Sequence, residues 1–126
     1  MDLTPRIAVF DSGIGGTGVL GASRERAPWA DLVYVADHAF GPYGERTLDE
    51  VRTRTEVLAR YLTTAGVEMI VIACNSAWAA ALHHLRSVVP DIPFVGMEPA
   101  VKPAAERTTS GVIAVMATGV FITQKA

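Results

Sequence analysis

The sequence predicts an α/β fold in which helices flank a parallel sheet, giving three layers. Several short apolar runs are continuous rather than alternating, as in strands that are covered on both faces. Longer segments with helical periodicity separate them. Half of the 126 residues are hydrophobic, which is enough for one compact core. The predicted strands are 7–10, 32–36, 69–73, 94–95 and 112–116.

The helices are predicted from their end signals and their spacing. Thr47 is followed three residues later by Glu50, which is the spacing of a capping box, so a helix is predicted over 47–65. Gly66 is a suitable residue to end it. Two further helices are predicted over 75–88 and 98–107.

Composition favours small-molecule chemistry in the cytoplasm. The formal net charge is −2, and the arginines are scattered, so neither a nucleic-acid partner nor an anionic membrane surface is expected. The longest apolar stretch, 69–73, is far shorter than the roughly 20 residues of a membrane span. The N-terminus has no basic and apolar leader pattern, so we expect a cytoplasmic protein.

The segment VFDSGIGGTG, residues 9–18, contains a G-x-G-x-x-G spacing directly after the first predicted strand. Asp37 ends the second strand about 20 residues later, where a dinucleotide-binding protein has its ribose-binding acid. Asp11 argues against that interpretation, because it places a carboxylate where the pyrophosphate would bind. A tight turn that needs small residues is the purely structural alternative. We favour a loop whose backbone N–H groups and Ser12 hydroxyl hold a small carboxylate.

Cys74 is the only cysteine, and it lies where the third predicted strand meets a helix. Ligands bind beyond the carboxyl ends of parallel strands, and a helix N-terminus favours thiolate over thiol. Asn75 and Ser76 add polar groups to the same turn. A functional thiol is therefore predicted, although a lone cysteine is more often a small buried hydrophobe.

The other candidate groups give weaker signals. His38 follows the second strand and is the one histidine expected near a site, whereas His83 and His84 lie too far along a helix. No metal-ligand cluster is apparent. The two lysines, Lys102 and Lys125, provide no convincing anchor for pyridoxal phosphate, so no cofactor is expected.

Four motifs occur together in this chain: F-D-S-G-I-G-G at 10–16, P-Y-G at 42–44, A-C-N-S-A at 73–77 and G-M-E-P-A at 96–100. In order and spacing they resemble the glutamate racemase branch of the aspartate/glutamate racemase superfamily. The resemblance implies cofactor-independent inversion of glutamate at its α-carbon, supplying D-glutamate for peptidoglycan. It also implies two thiols, one on each face of the substrate.

The resemblance implies the site residues as well. Cys74 matches the first of the two thiols, and Asp11 matches the acid that assists it. The positions that match substrate-binding residues are Ser12, Pro42, Tyr43, Gly44, Asn75, Ser76 and Thr118.

This chain departs from the family in length. Family chains are much longer, and the Cys-Thr-His motif that carries their second thiol does not occur here. Residues 1–93 therefore resemble a first racemase lobe without its C-terminal completion, and residues 94–126 resemble the beginning of a second lobe.

Three possibilities stay open at this point. The chain can act on glutamate with the first thiol only, or it can belong to a racemase or isomerase of another small amino acid or diacid. It can also be an inactive lobe that binds an amino acid or associates with a partner, either a second copy in a homodimer or the missing second half.

Overall fold

A computed structural model describes residues 3–122. It contains one parallel sheet of four strands in the order β2-β1-β3-β4. The strands are β1 (Arg6–Asp11), β2 (Asp31–Ala36), β3 (Met69–Ile72) and β4 (Phe94–Gly96). The predicted α/β class and the first four predicted strands are confirmed.

Helices flank this sheet, and the three helices that the sequence predicts begin within three residues of their expected positions, whereas α1, α5 and the short 3-10 helix were not predicted. They are α1 (Thr17–Arg26), α2 (Leu48–Thr64), α3 (Asn75–Val88), α4 (Val101–Arg107) and α5 (Gly119–Ile122), with a short 3-10 helix at Tyr43–Glu45. The capping box of α2 is present: Glu50 N–H donates to Thr47 Oγ1 at 3.2 Å, and Thr47 N–H donates to the Glu50 carboxylate at 2.8 Å. No helix within residues 3–122 is long and apolar enough to cross a membrane.

The core lies where α2 and α3 pack against the central strands. Phe10 on β1 and Ile72 on β3 are buried, and β1 and β3 are the two inner strands of the sheet. Burial of such side chains is the main stabilising contribution to the fold. The residues that α2 and α3 bury include Val51, Ala59, Leu62, Ala77 and Leu85. The helices thereby cover the strands whose carboxyl ends carry the predicted site.

The fifth predicted strand is wrong. Residues 112–116 have no regular secondary structure, and Val112 and Met116 are 75% and 102% exposed. An apolar run becomes a strand only where a neighbouring strand bonds its backbone and its side chains are covered. Within the part of the chain that the structure describes, no strand pairs with this run. Thr118 therefore does not follow a strand and instead precedes α5.

The start of α4 and the position of β4 bear on two predicted boundaries. The helix predicted over 98–107 begins later, at Val101. The domain boundary predicted after residue 93 falls directly before β4, which is hydrogen-bonded to β3 in the same sheet. The division into a first lobe and the beginning of a second stays a prediction.

Candidate active site

Three of the predicted site residues, Asp11, Ser12 and Cys74, meet at the carboxyl ends of β1 and β3, which are neighbours in the sheet. Asp11 ends β1, and Cys74 lies two residues beyond the end of β3. The Cys74 thiol donates to the Ser12 hydroxyl oxygen, with 3.5 Å between Sγ and Oγ. Residues 62 positions apart in sequence are therefore in contact, as the rule for strand ends predicts.

Cys74 is the N-cap residue of α3. Its backbone is extended, and its sulfur accepts a hydrogen bond from Ala77 N–H at 3.5 Å. The side chain is only 6% exposed. The unpaired N–H groups and the dipole of a helix N-terminus favour negative charge, so the sulfur lies where an anionic group is stabilised. A nucleophile or a base is the chemistry that it supports.

Asp11 is held by the glycine loop that follows it. Its Oδ2 accepts the Gly16 N–H at 2.9 Å, and the side chain is buried. A Cβ on Gly16 would lie 2.9 Å from Asp11 Cβ, 3.0 Å from Ala73 Cβ and 3.1 Å from the Tyr34 hydroxyl oxygen. The glycine that the packing requires is thus Gly16, which the G-x-G-x-x-G spacing does not include. The loop places a protein carboxylate where a dinucleotide phosphate would need to bind.

Tyr34 closes the same loop from β2. Its hydroxyl donates to the Gly13 carbonyl oxygen at 2.7 Å. Burial and the nearby charge of Asp11 raise the pKa of Tyr34, so the phenol stays a donor through the neutral range. This contact supports the turn on which Asp11 and Ser12 lie.

Removing this contact should loosen the loop. In Tyr34→Phe we expect the free energy of unfolding to fall by about 0.5–1.5 kcal/mol, the net value of one hydrogen bond. Amide hydrogen exchange of Gly16, whose N–H is bonded to Asp11, should become faster. Tyr61→Phe is the matched control, because Tyr61 is 67% exposed. Equal exchange rates at Gly16 in both variants would contradict this role for Tyr34.

Asp37 is a structural acid rather than a ribose-binding one. It is buried, and Arg54 donates to both carboxylate oxygens at 2.8 Å. The Tyr43 hydroxyl donates to Oδ2 at 2.6 Å. The hydrogen bonds from Arg54 are the main reason that the pKa of Asp37 is lowered. The dinucleotide interpretation therefore fails at its second residue too.

Asp37 should make stability depend on acid pH. Because its pKa is lower in the folded protein than the unfolded value of about 3.9, its contribution is complete above that pH and is lost as the pH falls through the lower folded pKa. Urea unfolding between pH 6 and the acid range should show a weaker acid dependence in Asp37→Asn than in the unchanged protein. Asp31→Asn is the control, because it removes the Arg6–Asp31 ion pair, in which both side chains are nearly half exposed. This variant should leave the acid dependence of stability almost unchanged.

The P-Y-G turn can meet a ligand through its backbone. The Tyr43 side chain is 1% exposed and its hydroxyl is engaged by Asp37, so it cannot face a ligand directly. Gly44 leaves space for Thr118, since a Cβ on Gly44 would lie 2.6 Å from Thr118 Cγ2. Pro42 is exposed and begins the turn.

Thr118 joins this turn to α3. Its hydroxyl is 2.8 Å from the Ser76 hydroxyl, and Ser76 is buried in the first turn of α3. Asn75, beside it, is exposed. The structure thus brings Asp11, Ser12 and Cys74 together, and it brings Gly44, Ser76 and Thr118 together at the other side of the same helix start.

His38 and His84 lie in different parts of the molecule, one beside the glycine loop and the other between two helices. His38 is exposed beside the loop, with Cε1 3.9 Å from the position of a Cβ on Gly13. His84 pairs with Glu56 and links α3 to α2. Arg54 is the residue that sequence reasoning missed. The one signal in the sequence was that Arg54 lies in the next helix predicted after Asp37, the acid that follows the second predicted strand.

In sequence and in overall fold, this chain is similar to racemases. The Asp/Glu/hydantoin racemase family matches residues 19–125. A glutamate racemase from a Roseiflexus species is 53% identical over 112 residues, which are 89% of this chain and 41% of that protein. Another, from Stutzerimonas stutzeri, is 46% identical over 93% of this chain and 44% of its own length.

A solved structure shows the same relation. The glutamate racemase of Escherichia coli, determined with L-glutamate and an activator, superimposes with a TM-score of 0.78 at 35% identity. The superposition covers 86% of this chain and 41% of that one. This chain therefore spans less than half of the length of the relatives that it matches.

Proposed function

The chain belongs to the Asp/Glu/hydantoin racemase family, and from this premise we propose that it performs one half of a glutamate racemase reaction. Cys74 removes the α-hydrogen of glutamate, and Asp11 assists it. The observation that carries the proposal is the position of the Cys74 sulfur, at the start of α3 and in contact with Ser12 beside Asp11. The similarity to glutamate racemases supports glutamate as the substrate.

The proposed step is a proton transfer to sulfur. The Cys74 thiolate takes the α-hydrogen as a proton, and the electron pair of the C–H bond stays on the α-carbon, delocalised into the adjacent carboxylate. The same thiol can return a proton to the face from which it took one. Ser12 Oγ and Ala77 N–H hold the sulfur at the start of α3. The step needs no cofactor.

Binding groups for the substrate surround this sulfur. The Ser12 and Ser76 hydroxyls, the Asn75 amide and the backbone of Pro42 to Gly44 are the proposed partners of its carboxylates and ammonium group. Thr118 completes this set through its contact with Ser76. Asn75 and Ser76 lie at the start of α3, which is a favourable position for a carboxylate.

Inversion requires a second acid on the opposite face, and this chain has one cysteine. We therefore assign the second thiol to a partner, either the remainder of a longer racemase or another copy of this chain. In that assembly the product is D-glutamate, which supplies peptidoglycan synthesis. The proposed location of the protein is the cytoplasm. Alone, the chain exchanges the α-hydrogen without inverting the centre.

The proposal is tested by titrating ¹⁵N-labelled protein with L- and D-glutamate. Amide signals of Ser12, Asn75 and Ser76 should shift with glutamate more than with aspartate, hydantoin or maleate at equal concentration. A stronger response to one of the other compounds would favour a racemase or isomerase of that class. Absence of any response at these amides would contradict an amino-acid site.

A second candidate function is association without catalysis. Its specific support is the apolar exposure after residue 93, where Val95 and Met97 are 42% and 41% exposed and Met116 is fully exposed. Exposed apolar surface favours association where such side chains form one patch. Sedimentation distinguishes the two: a monomer that binds glutamate contradicts this alternative, whereas a dimer that does not bind glutamate supports it.

A further inference from the structure

We propose that Arg54 is a positioning residue that holds the P-Y-G turn at the active-site cleft through Asp37 and Tyr43. The effect on ligand binding rests on the proposed function, whereas the effect on the turn does not. Arg54 lies on α2, which packs against α3, the helix that Cys74 caps.

The first step is a carboxylate shared by two donors. Arg54 Nε and Nη2 donate to the two oxygens of Asp37, each at 2.8 Å, and the Tyr43 hydroxyl donates to one of them at 2.6 Å. The Asp37 side chain is 4% exposed and that of Arg54 is 32% exposed. A planar guanidinium that donates twice fixes the carboxylate plane as well as its charge. Burial also raises the pKa of Tyr43, which keeps its hydroxyl protonated as a donor.

The second step is a stack of side chains over the same segment. The Arg54 guanidinium carbon lies 5.3 Å from the centre of the Phe40 ring, and that of Arg46 lies 4.2 Å from it. The ring of Phe40 packs edge-on against Tyr43, with 6.0 Å between centroids. Cation–π and aromatic contacts of this kind add to the ion pair. Arg54 therefore holds both the acid and the aromatic residue that precede the turn.

The third step connects the turn to the cleft. Tyr43 is anchored in the core, so its neighbour Gly44 has a fixed position, and Gly44 lies against Thr118. Thr118 is in turn bonded to Ser76 in the first turn of α3. A shift of the turn would move the proposed ligand contacts of Gly44 and Thr118 together. Arg54 acts on the ligand only through this series of contacts.

The test compares Arg54→Met and Arg54→Lys with Arg60→Met in the full chain. Arg60 is a more exposed arginine of α2 that pairs with Glu56, so it controls for loss of a surface charge. We measure the glutamate dissociation constant and the amide signals of Tyr43 and Gly44 by NMR. Arg54→Met should shift both signals and weaken glutamate binding by about 10-fold, which corresponds to about 1.4 kcal/mol. Lysine keeps the charge without the planar fork, so Arg54→Lys should recover part of that affinity.

The outcomes separate the two proposals. If Arg54→Met does not fold, Arg54→Lys alone decides, with weaker glutamate binding and shifted Tyr43 and Gly44 signals expected. Glutamate binding and turn signals at the level of the unchanged protein in folded Arg54 variants would overturn the positioning role. Shifted signals with unchanged affinity would overturn the part of the proposal that connects the turn to the bound ligand. If the unchanged protein does not bind glutamate, the proposed function fails, and the Tyr43 and Gly44 signals still decide whether Arg54 positions the turn.

Discussion

Replacing Cys74 with alanine should lower deuterium exchange at the α-carbon of glutamate by about 100-fold or more, the usual contribution of a positioned general base. The reason is that the Cys74 sulfur is the group that the structure places at the start of α3 with Ser12 and Asp11 beside it. The measurement is the appearance of α-deuterated glutamate in D₂O by proton NMR.

Glutamate affinity provides the control for this variant. The carboxylate-binding groups of Ser12 and Ser76 remain in Cys74→Ala, so the dissociation constant should change little. Cys74→Ser has a hydroxyl of similar size that is a much weaker acid, so it should also bind glutamate without supporting exchange. Exchange that is undiminished in Cys74→Ala would rule out this residue as the base.

Adding one methyl group at Gly16 should have the largest effect on the loop. In Gly16→Ala the new Cβ would lie within 3.1 Å of Asp11, Ala73 and Tyr34 atoms, where there is no space for it. We expect the free energy of unfolding to fall by about 1–3 kcal/mol, as for other insertions into packed sites. Asp11 should move with the loop, so α-hydrogen exchange should fall as well. Urea unfolding and the D₂O assay measure the two effects.

Gly18→Ala is the matched control within the same motif. A Cβ on Gly18 would meet nothing within 4 Å, and this residue lies in α1. Alanine is the better helix former, so the variant should be unchanged or more stable by up to about 1 kcal/mol. Equal destabilisation at Gly16 and Gly18 would show that the loop is not packed in the way described.

The sequence predicted the fold wherever its signals were local. Continuous apolar runs identified β1 to β4, and Thr47 with Glu50 identified the start of α2. The run at 112–116 has the same apolar character, but the described chain has no strand beside it. Pairing depends on which segments meet in space, and a single apolar run carries no information about its partner.

Part of the candidate site was predictable from local signals, and part depended on contacts between distant segments. The rule that ligands bind beyond strand ends predicted from the sequence alone that Asp11, Ser12 and Cys74 lie together. The role of Asp37 was not predictable, because its partner Arg54 lies 17 residues away on a different element. The burial of the Tyr43 side chain was not predictable either. The P-Y-G motif indicates a turn, but it does not indicate the direction in which the tyrosine side chain points.

The most direct test of the account is deuterium incorporation by the unchanged chain, with L-glutamate and D-glutamate supplied separately at saturating concentration in D₂O. A single thiol reaches the α-carbon from one face. The account therefore predicts that one enantiomer exchanges its α-hydrogen with its configuration retained, and that the other exchanges much more slowly. Bound glutamate that gains no deuterium in either enantiomer would contradict the account.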